Sequence, residues 1–354
     1  MPEPCVLPGG PHCLRPEWQR YPKSKDGSRE GPITVSELGE FGLIAALAAR
    51  LPAAPATLVG IGDDAAVLAA PDGRVVASTD LLVEGRHFRR DWSSPREIGG
   101  KAAAQNLADI AAMGAVPTAL LVGLAAPGDL PVAWAEEMAA GLAEECSRVG
   151  ATVVGGDLSG APLIMLGVTA LGDLGGRAPI TRSGARPGDL VAVAGVLGHS
   201  AAGLALLRAG LTEPAGLVAA HRWPHPDYAA GPDAARLGAT SMIDVSDGLV
   251  QDLGHLAGQS GVRIDVTSAR LPMSNALRTA ADALGDQGPG DQGPGDQGPL
   301  DWVLHGGEDH GLVATFPPGT ALTGRWSVVG QVVEGQGVWV DSRRSERLSG
   351  WNHF

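Results

Sequence analysis

Cysteine is scarce in this chain: Cys5, Cys13 and Cys146 are the three present in 354 residues. They are odd in number and irregularly spaced, which excludes a disulfide framework and the paired spacing of a zinc site. Cations are also short, with 26 Lys and Arg against 39 Asp and Glu and a formal charge of -13. That balance excludes a broad nucleic-acid-binding surface. It does not exclude an anionic small substrate, because bound metal ions reverse the local sign. No run reaches the roughly 18 apolar residues of a membrane span. The first 30 residues hold no apolar stretch suited to a signal peptide. The pattern Gly-x-x-x-x-Gly-Lys-Ser/Thr is missing as well, which argues against a P-loop nucleotide site. These absences together point to a soluble cytoplasmic protein.

What the chain has instead is aspartate and glutamate in unusual places. Five segments run from small or apolar residues straight into acids: Gly62-Asp63-Asp64, Ser78-Thr79-Asp80, Gly155-Gly156-Asp157, Asp244-Val245-Ser246-Asp247-Gly248 and Gly306-Gly307-Glu308-Asp309. Most follow runs that read as buried strands, such as Arg74–Ala77 and Ala151–Val154. A carboxylate at the end of a buried strand needs a partner, since an unpaired buried charge is costly. With few cations nearby, a hard divalent metal with oxygen ligands is the expected partner. The adjacent glycines allow backbone to approach a ligand closely. The pattern therefore suggests magnesium ions holding phosphates.

At this length two domains are expected. Residues 1–30 are rich in Pro, Gly and charge without periodicity and read as a disordered leader. Ser36–Leu51 reads as a first helix capped by Ser36, with Phe41, Ile44 and Leu47 at helical spacing. A strand is expected at Arg74–Thr79, a long helix at Pro95–Met113, a strand at Pro117–Leu124 and a helix at Pro131–Val149. Strands follow at Ala151–Val154 and Leu163–Leu171. The Gly- and Arg-rich stretch 172–188 places a domain boundary near residue 174. Beyond it come a strand at Leu190–Ala194, a helix at Ser200–Ala209, a strand at Ser241–Val245 and a helix at Leu249–Gln259. Alternating strands and helices signal an α/β or α+β architecture. Residues 285–299 are three tandem copies of Gly-Asp-Gln-Gly-Pro and read as a flexible surface loop without function.

Each acidic segment has a plain reading taken alone. Gly62-Asp63-Asp64 and Gly155-Gly156-Asp157 could be turns, and Ser78-Thr79-Asp80 a helix cap. Asp247, at a strand-to-helix junction, could cap the following helix or bind a metal that touches phosphate at the helix N-terminus. Asp109 sits among Ala108, Ile110, Ala111 and Ala112, and Asn106 shares its face. His87 and His199 alone would be structural or solvated, and Trp351 a packing anchor. The plain readings weaken jointly because all five segments share one chemistry.

The stretches GIGDDAAVL (60–68), STDLLVEGRHF (78–88), NLADIAAMGA (106–115), GGDLSG (155–160), RAPITRSGARPGDLVAVAG (177–195), IDVSDGLVQDLGHLA (243–257), HGGEDHGL (305–312) and WNHF (351–354) occur in this order. In this set the chain resembles the thiamine-monophosphate kinase family, within the superfamily of aminoimidazole-ribonucleotide synthetase and selenophosphate synthetase. The resemblance implies Mg-dependent transfer of the ATP γ-phosphate to thiamine monophosphate, giving thiamine diphosphate and ADP. It implies a two-domain fold of the aminoimidazole-ribonucleotide-synthetase type. Residues 31–174 would form the ATP- and Mg-binding domain, dimerising through its sheet into a homodimer. Residues 175–354 would form the C-terminal domain, with ATP in the cleft between the two.

By the same resemblance, Asp64, Ser78, Thr79, Asp80, Asp109, Asp157, Asp244 and Asp247 are magnesium ligands. Gly156, Asp157, Arg182 and Ser246 are ATP contacts, and His87, Glu308 and Trp351 are thiamine-side contacts. The chain departs from the family at Leu158, where Thr is common, at His310, where Tyr is common, and at Trp351, where Tyr is common. No residue is expected to act as a covalent catalyst, because a phosphate monoester with a second pKa of about 6 is already ionised near neutrality. Transfer is expected to be direct and in line. Two rival readings are another ATP-dependent member of the superfamily and a non-catalytic nucleotide- or metal-binding regulator. The position of Cys5 and Cys13 in an unpatterned leader, and the terminal Phe354, disfavour the selenophosphate and hydrogenase-maturation relatives.

Overall fold

The structure is a computed structural model that describes residues 32–61, 65–285 and 298–345. The expected leader, Asp64, nearly all of the tandem repeat and Trp351 lie outside the described residues.

The expected first helix is two helices, α1 (Val35–Leu38) and α2 (Glu40–Ala48), and Ser36 is not its cap. Thr34 holds the N-cap position, its backbone N–H donating to Glu37 Oε2 at 3.0 Å. Gly39 separates the two helices with φ +73°, a conformation other residues rarely adopt. Strands β1 (Thr57–Val59) and β2 (Val67–Leu68) pair as a small antiparallel ribbon.

Next come β3 (Val76–Val83), α3 (Pro95–Ala112), β4 (Val116–Ala126), α4 (Val132–Ser147), β5 (Thr152–Gly160) and β6 (Met165–Asp173). Their strands form a sheet in the order β3-β6-β4-β5, parallel between β4 and β5 and antiparallel elsewhere. Two expectations are corrected here. The strands expected to stop at Thr79 and Val154 run on to Val83 and Gly160, so Asp80 and Asp157 lie within strands rather than after them. The cause is tertiary: β6 pairs with β3 from Val76 to Val83, and β4 pairs with β5 from Thr152 to Gly160. These ladders hold Gly and Asp in extended backbone that local propensity disfavours.

Helix α3 is fixed at its start by a capping box. Ser94 N–H donates to Glu97 Oε2 at 2.7 Å, and Ser94 Oγ accepts from Glu97 N–H at 3.3 Å. Ile98, Leu107 and Ile110 of α3 join Leu82, Leu120, Leu166 and Val168 of the sheet in one buried core. A mostly apolar helix is buried nearly all round for this reason. The other face of the sheet is open, and Leu81 there is 56% exposed.

The second half contains β7 (Leu190–Ala194), α5 (His199–Arg208), α6 (Ala215–Arg222), α7 (Ala230–Leu237), β8 (Ser241–Val245) and α8 (Leu249–Ser260). It continues through β9 (Arg263–Val266), α9 (Asn275–Leu284), α10 (Pro299–His305), β10 (Gly311–Phe316), β11 (Trp326–Val333), β12 (Gly337–Val340) and β13 (Arg343–Arg344). The strands form a mixed sheet ordered β13-β12-β9-β11-β7-β10-β8. Both layers are α/β, as the alternation of elements indicates. The core around α3 also takes in Met242, Leu312, Ala314 and Phe316, so the two sheets are joined through shared apolar packing. No helix of the described residues is long and apolar enough to cross a membrane.

Candidate functional site

The sheet and α3 build one wall. Side chains alternate along a strand, so Ser78, Asp80 and the buried Leu82 point toward α3, while Thr79 and Leu81 point to the open face. Ser78 Oγ donates to Asp109 Oδ2 at 2.6 Å. The backbone N–H of Asp80 donates to Asn106 Oδ1 at 3.1 Å, and Asn106 Nδ2 donates to the Ala102 carbonyl at 2.9 Å. Asn106 thus locks β3 to α3 at the level of the carboxylates. The capping reading of Ser78-Thr79-Asp80 does not hold, because no helix begins there.

The opposite wall comes from β8 and the turn before β10. Asp244 is buried, 4% exposed, and its Oδ2 lies 3.2 Å from His310 Nδ1. Asp247 sits at the junction into α8, its Oδ2 accepting from Gln251 Nε2 at 2.9 Å. The helix-capping work falls instead to Asp252, whose Oδ2 accepts from the N–H groups of Asp247 and Gly248, each at 3.1 Å. Asp247, Asp252 and His255 offer ligand atoms all within 4.8 Å of one another. The segment 306–310 wraps tightly around Ser246: Glu308 N–H donates to the Ser246 carbonyl at 2.8 Å and His310 N–H to the Val245 carbonyl at 3.0 Å. A Cβ on Gly307 would lie 2.5 Å from the Ser246 carbonyl oxygen, so only glycine fits this approach.

The electrostatics tie the walls together. Burial, followed by the charges of Asp244 and Asp80, pushes the Asp109 carboxyl up to about 7 against the Ser78 hydrogen bond. Burial, then Asp244 and Asp247, pushes Asp252 up to about 8. Burial works against a charged His310, but Asp244 outweighs it and raises the imidazole above its usual range. Asp109 of the first half, with Asp80 beside it, thus faces Asp244 of the second, and Asp244 and Asp247 both act on Asp252. Among the described residues, Asp109, Asp157, Asp244 and Asp247 have no lysine or arginine ion pair. Clustered carboxylates beside hydroxyl and backbone oxygens form a donor set suited to a hard divalent cation.

The remaining expected residues fall in three places. Asp157 pairs with Gly123, Gly123 with Gly167 and Gly167 with Leu81, so Asp157 and Leu81 share the open face. Thr79 is on that face too, its Oγ1 accepting from Thr169 Oγ1 at 3.1 Å. Gly156 and Asp157 line an open cavity of about 1010 Å³ bounded by α2, β5 and β6. Within one chain, Thr79 and Asp157 are therefore not in the cluster of Ser78, Asp80, Asp109 and Asp244. Arg182 is exposed beside the start of β8, where Thr181 O accepts from Met242 N–H at 3.1 Å.

His87 and Glu308 come together. Lys101 of α3, 2% exposed, donates to the His87 carbonyl at 3.2 Å and to Glu308 Oε2 at 3.2 Å. The Nδ1 of His87 accepts from Val83 N–H at 3.0 Å, which puts the ring proton on Nε2 when the ring is neutral. Sequence reasoning missed Lys101, Asp252 and the buried His221. The available signal for Lys101 was a single lysine in the run Gly99-Gly100-Lys101-Ala102-Ala103-Ala104, where a solvated side chain has no place.

The family of "AIR synthase related protein, N-terminal domain" matches residues 62–174. Over 325 residues the chain is 49% identical to the thiamine-monophosphate kinase of Mycobacterium tuberculosis, covering 91% of this chain and 93% of that protein. The thiamine-monophosphate kinase of Corynebacterium glutamicum is 41% identical over 340 residues, 93% of this chain and 97% of that protein. Among solved structures, AaThiL complexed with AMPPCP and TMP aligns with TM-score 0.72 and 34% identity, covering 91% of this chain and 99% of that one.

Proposed function

The chain belongs to the thiamine-monophosphate kinase family, and from that premise we propose how its residues divide the work. The reaction is transfer of the ATP γ-phosphate to thiamine monophosphate, giving thiamine diphosphate and ADP. The observation that carries the assignment of the site is the meeting of Asp80 and Asp109 with Asp244 across two sheets, with Asp109 raised to about 7 by burial and by those neighbours. Such a set holds divalent cations, and magnesium fits its oxygen chemistry. Ser78, Asp80, Asp109, Asp244 and Asp247 would be its holders, with Asp64 as a further ligand; Thr79 and Asp157, implied as ligands by the resemblance, lie on the opposite face of the sheet and would not join this set. Bound magnesium would neutralise the charge of the triphosphate and the acceptor phosphate and hold them in line.

The chain's own residues then position the reactants. Gly156 beside the cavity, Ser246 and Arg182 take the nucleotide side, and Arg182 offers a bidentate fork to phosphate. His87, Glu308 and Trp351 take the thiamine side. The acceptor phosphate is ionised above a pKa of about 6 and needs no base. Positioning and charge stabilisation therefore carry the rate. Residues 31–174 and 175–354 act as two domains, with this chemistry where they meet. The open face bearing Leu81, Thr79 and Asp157 is the surface through which two copies pair, which would enclose those two polar residues. The cytoplasm, where ATP and magnesium are abundant, is the fitting compartment.

The deciding experiment supplies magnesium and ATP with and without thiamine monophosphate and follows ADP and thiamine diphosphate together. Substrate-dependent appearance of both products, with inversion at phosphorus from chiral ATP, is the expected result. ATP binding without thiamine diphosphate would move the assignment to a relative or a regulator. Retention at phosphorus would replace direct transfer with a phosphoenzyme.

A further inference from the structure

Lys101 is the most deeply buried cation of the described chain, and its surroundings account for every proton it carries. Its Nζ donates to the His87 carbonyl at 3.2 Å, the His221 carbonyl at 3.1 Å and Glu308 Oε2 at 3.2 Å. An ammonium has three donors and no acceptor, so none remains for a ligand. The three acceptors come from three separate segments: the loop after β3, helix α6 and the turn before β10. Glu308 Oε1, in contrast, has no partner among the described residues, and the Glu308 side chain is 17% exposed. The backbone at Glu308 has φ +64°, so the turn rather than local preference sets the direction of that carboxylate.

We propose that Lys101 is the positioning residue of the acceptor side: by holding Oε2 of Glu308 and the carbonyl of His87 together, it presents Oε1 to a cationic or N–H-bearing heterocycle. This rests on the reading of Glu308 and His87 as the thiamine-side contacts. Thiamine carries a thiazolium cation and an amino-pyrimidine; an ionised Oε1 is a counter-ion for the first and a hydrogen-bond acceptor for the amino group of the second. Burial drives the Glu308 carboxyl up, but Lys101 chiefly opposes it and brings it down to about 2. Four titratable groups surround the carboxylate. Lys101 comes from α3, His221 from α6, and Asp309 and His310 from its own turn. His221 is pushed down to about 3, first by burial and then by Lys101, so it is neutral near pH 7. Lys101 is therefore the cationic side chain that donates directly to Glu308. On the same helix Asp109 lies eight residues further on, about 12 Å along the axis at 1.5 Å per residue. One rigid rod thus sets both the cation cluster and the acceptor contact.

The test uses the full chain with magnesium and compares Lys101→Met, Glu308→Gln and the double variant, with KM measured separately for thiamine monophosphate and ATP. Lys101→Met is expected to raise KM for thiamine monophosphate at least about tenfold, as truncating one partner of a buried charge pair does. KM for ATP should stay within about twofold. Glu308→Gln should also raise KM for thiamine monophosphate, and the double variant should be little worse than Glu308→Gln alone, because the two act as one unit. If Glu308→Gln raises that KM and Lys101→Met leaves it unchanged, the role of Lys101 is overturned while the acceptor-side reading stands. If Glu308→Gln has no effect on KM, the acceptor-side reading fails, and the proposal with it. Should Lys101→Met not fold because it strands a buried carboxylate, the double variant removes that charge. A double variant whose KM values for both substrates rise together beyond those of Glu308→Gln would make Lys101 merely structural and overturn the proposal.

Discussion

At the level of a single residue, the role proposed for Asp80 separates catalysis from stability. Its charge is one of the neighbours that raise Asp109, after burial and Asp244. In the metal-free protein it therefore repels its surroundings. Asp80→Asn keeps the shape, relieves that repulsion and removes a proposed ligand oxygen. Turnover should fall by at least about 100-fold, more than the loss typical of a residue that only supports a ligand. The melting temperature without magnesium should hold or rise. Near-full activity in this variant would remove Asp80 from the metal set. Such residues were legible in the sequence because an acid in an apolar strand has few innocent explanations. Lys101 was equally anomalous in its helix, but its role depends on Glu308, more than 200 positions later in the chain. The two are joined by tertiary folding that no local pattern encodes.

For the elements named from the sequence, strand and helix types were readable from periodicity, and the core of α3 follows from its nearly continuous apolar run, whereas α6, α7, α9, α10 and β9 to β13 were not named. The extents of β3 and β5 were not readable either. Glycine and aspartate signal turns locally, yet pairing with β6 and β4 carries both strands through them. The consequence is functional, because alternation then sends Asp80 toward α3 and Thr79, Leu81 and Asp157 to the open face. That face exposes 56% of Leu81, a residue usually inside. Pairing of two copies across it predicts a solution mass of two chains by light scattering. Leu81→Asp would bury a charge in the interface and should weaken association at least about 30-fold, the scale of an interface hot spot. Wild-type protein that scatters as a single chain at micromolar concentration would refute the pairing.

Across the whole molecule, the buried carboxyls set how stability responds to pH and metal. Burial is the first cause in each case: Asp109 is raised to about 7, Asp252 to about 8 and Asp309 to about 7, from an ordinary 3.8. A carboxyl whose folded pKa lies above its unfolded value favours the protonated native state. Its contribution is complete below about 4 and is lost as pH rises through the folded value. Glu308 has the opposite sign, since its folded value of about 2 gives stability that disappears only in strong acid. Between pH 5.5 and 8.5 the first group governs, so the chelator-treated protein should melt at progressively lower temperature across that range. Magnesium bound at the proposed site would stabilise the native state and replace the protons on Asp109. Its stabilising effect should therefore grow with pH. Asp309 accepts from Gly198 N–H at 2.5 Å and Ser200 N–H at 2.8 Å, at the start of α5 rather than in the carboxylate cluster. Its share of the loss should persist when the metal is saturating. Thermal melts at pH 5.5, 7 and 8.5, with chelator and with saturating magnesium, measure both parts. A magnesium-induced shift that is the same at all three values would mean that the metal does not bind where Asp109 and Asp244 meet.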